Sequence, residues 1–201
     1  MKTTKLVGII IIITCIFMIT ILSCANQLAA ANHDILGLGN QLPTVKLTTP
    51  KDQSLRRHLG LQEKESFTVD EIKCEILIIE IFSIYCPHCQ KDAPAINELY
   101  ELIESDEKVA GQVKLIGIGT GNSAFEIDVF KKKYKIPFPL FADADFAIHE
   151  ELGNVRTPYF IGICNQGKRK NRIFFSQLAG FKGAKEFLNN VLELANCKLE
   201  K

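Results

Sequence analysis

Charge of one sign is what this sequence lacks most plainly. Its 24 Lys and Arg residues are met by 23 Asp and Glu, for a formal net charge of +1 at pH 7. The two signs are mixed, with no long run of either. The electrostatic footprint of a nucleic-acid-binding protein is therefore absent. No internal repeat and no low-complexity stretch follows the first 24 residues. Trp is missing altogether, and the seven cysteines are not spaced as in a small disulfide-stapled domain. What is there has the balance of a globular protein, 47% hydrophobic and 23% charged. A length of 201 residues suits one domain behind a short leader.

Met1-Lys2-Thr3-Thr4-Lys5 is a basic start, and Leu6 to Leu22 is an unbroken run of 17 apolar, Gly or Thr residues. This is the layout of a secretory signal. Its end, Ile21-Leu22-Ser23-Cys24, resembles a bacterial lipobox. That reading puts cleavage before Cys24 and lipid on its sulfur. Two alternatives stay open: an uncleaved membrane anchor, and cleavage near Ala29-Ala30-Ala31 that releases the body. In each, Lys2 and Lys5 stay inside, and the body lies outside the cytoplasm on the periplasmic side of the envelope. Residues 1–24 are thus expected as signal peptide or anchor, 25–39 as a tether and 40–199 as the working domain.

Along the body, Leu42 to Leu47 reads as a short edge strand and Thr48 to Glu65 as a polar, turn-containing stretch. Glu75 to Tyr85, β-branched and aromatic on both faces, reads as a buried central strand. It runs straight into Cys86. From Pro87 to about Ser105, Ala93, Ile96, Leu99, Leu102 and Ile103 recur at helical steps, with Pro87 suited to the first turn and Pro94 expected to kink the helix. Val113 to Ile118 is a second buried strand, ended by Gly119 and Gly121. A helix over Ser123 to Lys135, capped by Ser123, is expected to turn Phe125, Val129 and Phe130 inward. A short helix follows from Phe146 to Leu152. Tyr159 to Cys164 and Arg172 to Leu178 read as an antiparallel hairpin, and Gly183 to about Lys198 as a closing amphipathic helix. The fold class is α/β, a central mixed sheet flanked by helices.

The chemistry is expected at Cys86-Pro87-His88-Cys89. A Cys-x-x-Cys where a buried strand meets a helix N-terminus places Cys86 against unpaired N–H groups and partial positive charge. These favour the thiolate and lower its pKa. Cys89, almost one turn on, is placed to attack a mixed disulfide at Cys86. His88 adds positive charge near the thiolate, which makes the disulfide more oxidising. A zinc site would need two more ligands, and Cys74, Cys164 and Cys197 are scattered singles; haem attachment would need His where Gln90 stands. No metal and no cofactor is expected.

Further residues carry a family resemblance. Glu80 lies six positions before Cys86, Pro94 eight after it, and Thr157-Pro158 opens the strand Tyr159-Phe160. Phe130 to Tyr134 and Pro137 to Leu140 supply an extra helix–strand segment. Together they resemble the thioredoxin superfamily, in particular the TlpA- and ResA-like, AhpC/TSA-related redoxin branch of bacterial envelopes, over roughly Gly39 to Leu194. The resemblance implies a thioredoxin-like fold and thiol–disulfide exchange at a Cys86–Cys89 redox disulfide. It implies that Pro158 is cis and faces the active site, and that Tyr85, Thr157 and Pro158 hold substrate. It also implies protein thiols as partners, apo-cytochrome c or other envelope proteins among them, with a membrane-bound electron donor or acceptor. Glu80, stranded in an apolar run, is expected to have a raised pKa and to accept the Cys89 proton.

Tyr85 stands where this branch usually has Trp. Pro-His is the dipeptide of oxidising DsbA-type proteins on a scaffold that usually reduces, so both directions of electron flow stay open. Arg156, with Ser83 three positions before Cys86, also keeps a peroxiredoxin-like thiol peroxidase as the alternative. Cys74, Cys164 and Cys197 read as buried small hydrophobes, and His33, His58 and His149 as isolated and solvated. Asp143 and Asp145 read as turn and helix-cap residues.

Overall fold

The computed structural model of the chain describes residues 35–165, 167, 170–179 and 183–199. The leader with Cys24, His33 and the side chain of Cys197 lie outside the described residues. Among the described residues no helix is long and apolar enough to cross a membrane. The packed unit begins at Leu36. Leu36 is buried, and the Gly39 N–H reaches the Ile173 carbonyl at 2.7 Å. The end of the stretch expected as tether therefore belongs to the packed unit.

Lys46–Thr48 (β1) and Ser66–Thr68 (β2) pair antiparallel as a separate ribbon. Between them Gln53–Leu59 forms a helix (α1) where the sequence predicts none. Asp52 caps its start, accepting the Ser54 N–H at 2.7 Å, and Gly60 ends it at φ 67°. Only Leu59 of α1 is buried, so no apolar period announces it.

Ile76–Phe82 (β3) is buried at every position. It leads into Pro87–Ser105 (α2), which buries Cys89, Ala93, Ile96, Leu99 and Ile103. Helix α2 continues through Pro94, which has no N–H for the Gln90 carbonyl. Glu107–Gln112 (α3), a second helix the sequence does not announce, starts at Asp106, whose carboxylate accepts the Lys108 N–H at 3.0 Å.

Val113–Thr120 (β4) runs past Gly119 instead of ending there. A Cβ at Gly119 would lie 2.2 Å from Ile127 and 3.2 Å from the Phe82 ring. This glycine is a point of close helix–sheet approach inside a strand. Ala124–Tyr134 (α4) carries a capping box from Ser123 and Glu126. Its inner face is Ile127 and Phe130. Phe125 and Val129, expected inward, are exposed. The period of this helix is set by residues 127, 130 and 134, which a reading of the bulkiest apolar residues misassigns.

Leu140–Asp143 (β5), Ala147–Glu151 (α5), Tyr159–Cys164 (β6), Arg172–Leu178 (β7) and Ala184–Leu199 (α6) complete the chain. The main sheet has the order β5-β4-β3-β6-β7. β3, β4 and β5 are parallel, while β6 and β7 are antiparallel to their neighbours. On β3 the alternate residues Ile76, Ile78 and Phe82 join one core with Cys89, Ala93, Phe130, Phe160 and Phe187. Glu80 has the same parity and so shares that face. This places a carboxylate under the helix that carries the cysteines. On the ribbon side, Phe67 of β2 meets Phe141 of β5 edge-on at 5.5 Å.

Candidate active site

The turn from β3 into α2 puts Cys86 at the N-cap of α2, with Pro87 in the first turn. Four contacts hold that turn. The Cys86 N–H donates to the Ser83 carbonyl at 3.0 Å. The Ile84 N–H donates to the Asn122 side-chain oxygen at 3.0 Å, and the Gln90 amide donates to the Ile84 carbonyl at 2.7 Å. The Tyr85 hydroxyl donates to the Glu126 carboxylate, which also takes the Ser123 N–H at 2.7 Å. Asn122, Gln90 and Glu126 went unread in the sequence. Only Glu126 had a signal there, standing three residues after Ser123 in capping-box spacing.

The two thiols of the motif sit in different surroundings. Cys86 is half-buried and Cys89 buried, and both are free thiols, as are Cys74 and Cys164. Burial pushes the Cys86 thiol up, but hydrogen bonding with the Thr157 side chain and with the Cys89 and His88 N–H groups outweighs it, so its pKa lies below the ordinary value. As a thiol, Cys86 also donates to the Thr157 carbonyl at 3.4 Å. Cys89 goes the other way: burial pushes it well up, and Glu80 and Cys86 add to the effect. Glu80 is 4% exposed. Burial, then the charge of Asp92 and the nearness of Cys86, lift it to about 8. No ion pair involves Glu80 among the described residues.

The remaining expected residues fall around this pair. The Thr157–Pro158 bond is cis, as the sequence predicts. Pro158 is buried and Thr157 half-buried. The His88 ring is exposed, while its backbone N–H faces the Cys86 sulfur. Tyr85 is 67% exposed. Next to Cys86 opens a cleft of about 430 Å³. Tyr85, Gly121, Phe146, Arg156 and Thr157 line it, and Ser83 borders it too.

Away from the site, Cys74 and Cys164 are buried, as expected. Burial pushes the Cys74 thiol up to about 12, which marks an inert core residue. The Asp143 carboxylate caps α5 through the Ile148 and His149 N–H groups, at 3.0 Å each. His58 and His149 are half-buried against neighbours rather than isolated in solvent. His58 packs 6.1 Å from the Tyr100 ring, and burial lowers its pKa. His149 Nε2 lies 2.8 Å from the Val155 carbonyl.

The described residues contain no cluster of three His, Cys, Asp or Glu side chains fit to hold a metal ion. What the arrangement offers is a dithiol with one sulfur more acidic than an ordinary thiol, one less acidic, and a buried carboxyl beneath. No curated protein matches the sequence. The AhpC/TSA family model matches residues 38–177. Among solved structures, the chain is similar to a secreted Mycobacterium tuberculosis disulfide oxidoreductase homologous to E. coli DsbE, at 18% identity and a TM-score of 0.51, over 74% of this chain and 95% of that one. It is similar to StoA from Bacillus subtilis, at 21% identity and a TM-score of 0.50, over 62% and 87%. It is also similar to a thiol:disulfide interchange protein from Bacteroides, at 15% identity and a TM-score of 0.58, over 81% and 93%. These likenesses show the fold, which is the thioredoxin-like one.

Proposed function

The chain belongs to the AhpC/TSA family by a match spanning residues 38–177, and on that premise we propose that it is an extracytoplasmic thiol–disulfide oxidoreductase acting on protein substrates through Cys86 and Cys89. One observation carries the reading. A half-buried thiol with a depressed pKa caps a helix, and a buried thiol with a raised pKa stands almost one turn behind it, next to a buried carboxyl at about 8.

In the reducing direction the Cys86 thiolate attacks one sulfur of a substrate disulfide. That S–S bond breaks, the second substrate sulfur leaves as thiolate and takes a proton, and a Cys86–substrate disulfide remains. Glu80, ionised, takes the Cys89 proton. Cys89 then attacks the Cys86 sulfur, and the first substrate sulfur departs and is protonated. Two electrons have passed from the enzyme to the substrate, with the Cys89 proton handed on through Glu80 to the departing sulfur and the other proton taken from water, leaving the Cys86–Cys89 disulfide. Reversing the same steps oxidises a substrate dithiol. Tyr85, Thr157 and Pro158 border the path of the incoming chain, and the His88 N–H helps hold the Cys86 thiolate. The basic start and the apolar run Leu6 to Leu22 support an exchange outside the cytoplasm, and Ile21-Leu22-Ser23-Cys24 supports lipid on Cys24 as the anchor.

Reduction of insulin by the purified chain with dithiothreitol, read as turbidity, tests this. Activity is expected in the wild type and absent in Cys86→Ser. No thiol-dependent activity in the wild type would refute the reading. The border that Ser83 and Arg156 form on the cleft favours a second reading, a thiol peroxidase. Peroxide turnover that survives Cys89→Ser would establish it in place of the first.

A further inference from the structure

Among the described residues five non-glycine residues stand at positive φ, and Phe146 is the one aromatic among them. It stands at φ 62°, ψ 12°, the left-handed region that a bulky side chain rarely adopts. Glycine or asparagine would sit there with less strain. Its ring is 47% exposed, so burial returns only part of what the backbone costs. The ring lies across Gly121, itself at φ 63°, where a Cβ would come within 2.3 Å of it. The surroundings hold this geometry. The Phe146 N–H donates to the Asp143 carbonyl at 3.3 Å and its carbonyl accepts from Glu150 at 2.8 Å. His149 packs 6.1 Å from the ring and, through Val155, ties α5 to the segment that carries Arg156 and Thr157. A strained residue that its surroundings fix, with an apolar face left open, marks a functional surface.

That face lines the cleft beside Cys86, whose thiol bonds to the Thr157 carbonyl on the same wall. Arg156 also lines the cleft, is exposed, and makes no ion pair among the described residues. We infer that Phe146 and Arg156 form a specificity subsite for a partner polypeptide, Phe146 taking an apolar side chain within two residues of the exchanging cysteine and Arg156 an acidic one. The inference rests on the exchange reading above and names its substrate class. An apolar residue next to an acidic one matches the cleft, with its ring platform and a cation at the rim.

The test uses short peptides oxidised to symmetric disulfide dimers. One pair is identical but for Phe or Ser beside the single cysteine, on either side in turn. A second pair differs by Glu or Lys. kcat/KM for reduction by the full chain is measured for each peptide, with bis(2-hydroxyethyl) disulfide as a small substrate. The wild type is expected to prefer the Phe peptide by about 10-fold and the Glu peptide by about threefold. Phe146→Gly should collapse the first preference to within about twofold, Phe146→Leu should keep most of it, and Arg156→Glu should reverse the second. Leu38→Ser, an exposed site outside the cleft, should keep both. Each preference is a ratio within one preparation, so a partly unfolded variant still reports it. A wild type without preference, or Phe146→Gly retaining it, overturns the subsite. A wild type that fails even on bis(2-hydroxyethyl) disulfide overturns the exchange reading itself.

Discussion

Two cysteines three residues apart on one helix differ in acidity because one caps the helix end and the other faces the core. Hydrogen bonds hold Cys86 below its ordinary pKa of 9.0, while burial holds Cys89 above it. Among the four described thiols, iodoacetamide should therefore alkylate Cys86 ahead of Cys74, Cys89 and Cys164 in the reduced protein, with a half-maximal rate below pH 9.0, as mass spectrometry of the modified peptides would read. Glu80 gives a second prediction. Its pKa rises from 4.5 to about 8 on folding. Between those values the folded chain keeps a proton that the unfolded chain gives up. The contribution to stability is full below pH 4.5, declines across that window, and is lost as pH passes 8. At one pKa unit per ~1.4 kcal/mol the whole effect is at most about 5 kcal/mol. Glu80→Gln should remove this slope, so its melting temperature should gain on the wild type from pH 5 to pH 8. The same variant should slow resolution of the mixed disulfide by about 10²-fold. A parallel pH–stability profile for both proteins would refute the assignment.

At the level of elements, the active-site turn is set by partners distant in sequence. Asn122 is fully buried and accepts the Ile84 N–H. Asn122→Ala should leave that donor unmet, costing about 1–3 kcal/mol in urea unfolding, and lower the exchange rate with it. Gly119 sets the spacing between α4 and the sheet. Gly119→Ala should push Ile127 and Phe82 apart and cost about 1–3 kcal/mol in the same measurement. The sequence announced β3, α2, β6, β7 and α6, where apolar period and length agree. It was silent on α1 and α3, which are short and bury at most one residue, so their caps alone define them. It turned Phe125 and Val129 the wrong way because hydrophobicity does not say which of two adjacent faces meets the sheet.

At the scale of the whole molecule, the first 24 residues of the sequence and the thioredoxin-like domain call for separate tests. If Cys24 bears lipid, labelled fatty acid should enter the wild type in cells and not Cys24→Ala; equal labelling would refute the lipobox. The sequence by itself determined the α/β class, the central strand, the Cys86-Pro87-His88-Cys89 motif on its helix and the burial of Glu80. Each depends on local order: an alternation, a period, a spacing, or a charge inside an apolar run. Only the tertiary structure decided that Asn122 and Glu126 brace the turn, that Cys86 reaches the Thr157 carbonyl, and that Phe146 is held open over Gly121 beside Arg156. Those contacts join segments up to 71 residues apart. Chain closure and packing bring them together, and no window of neighbouring residues records that.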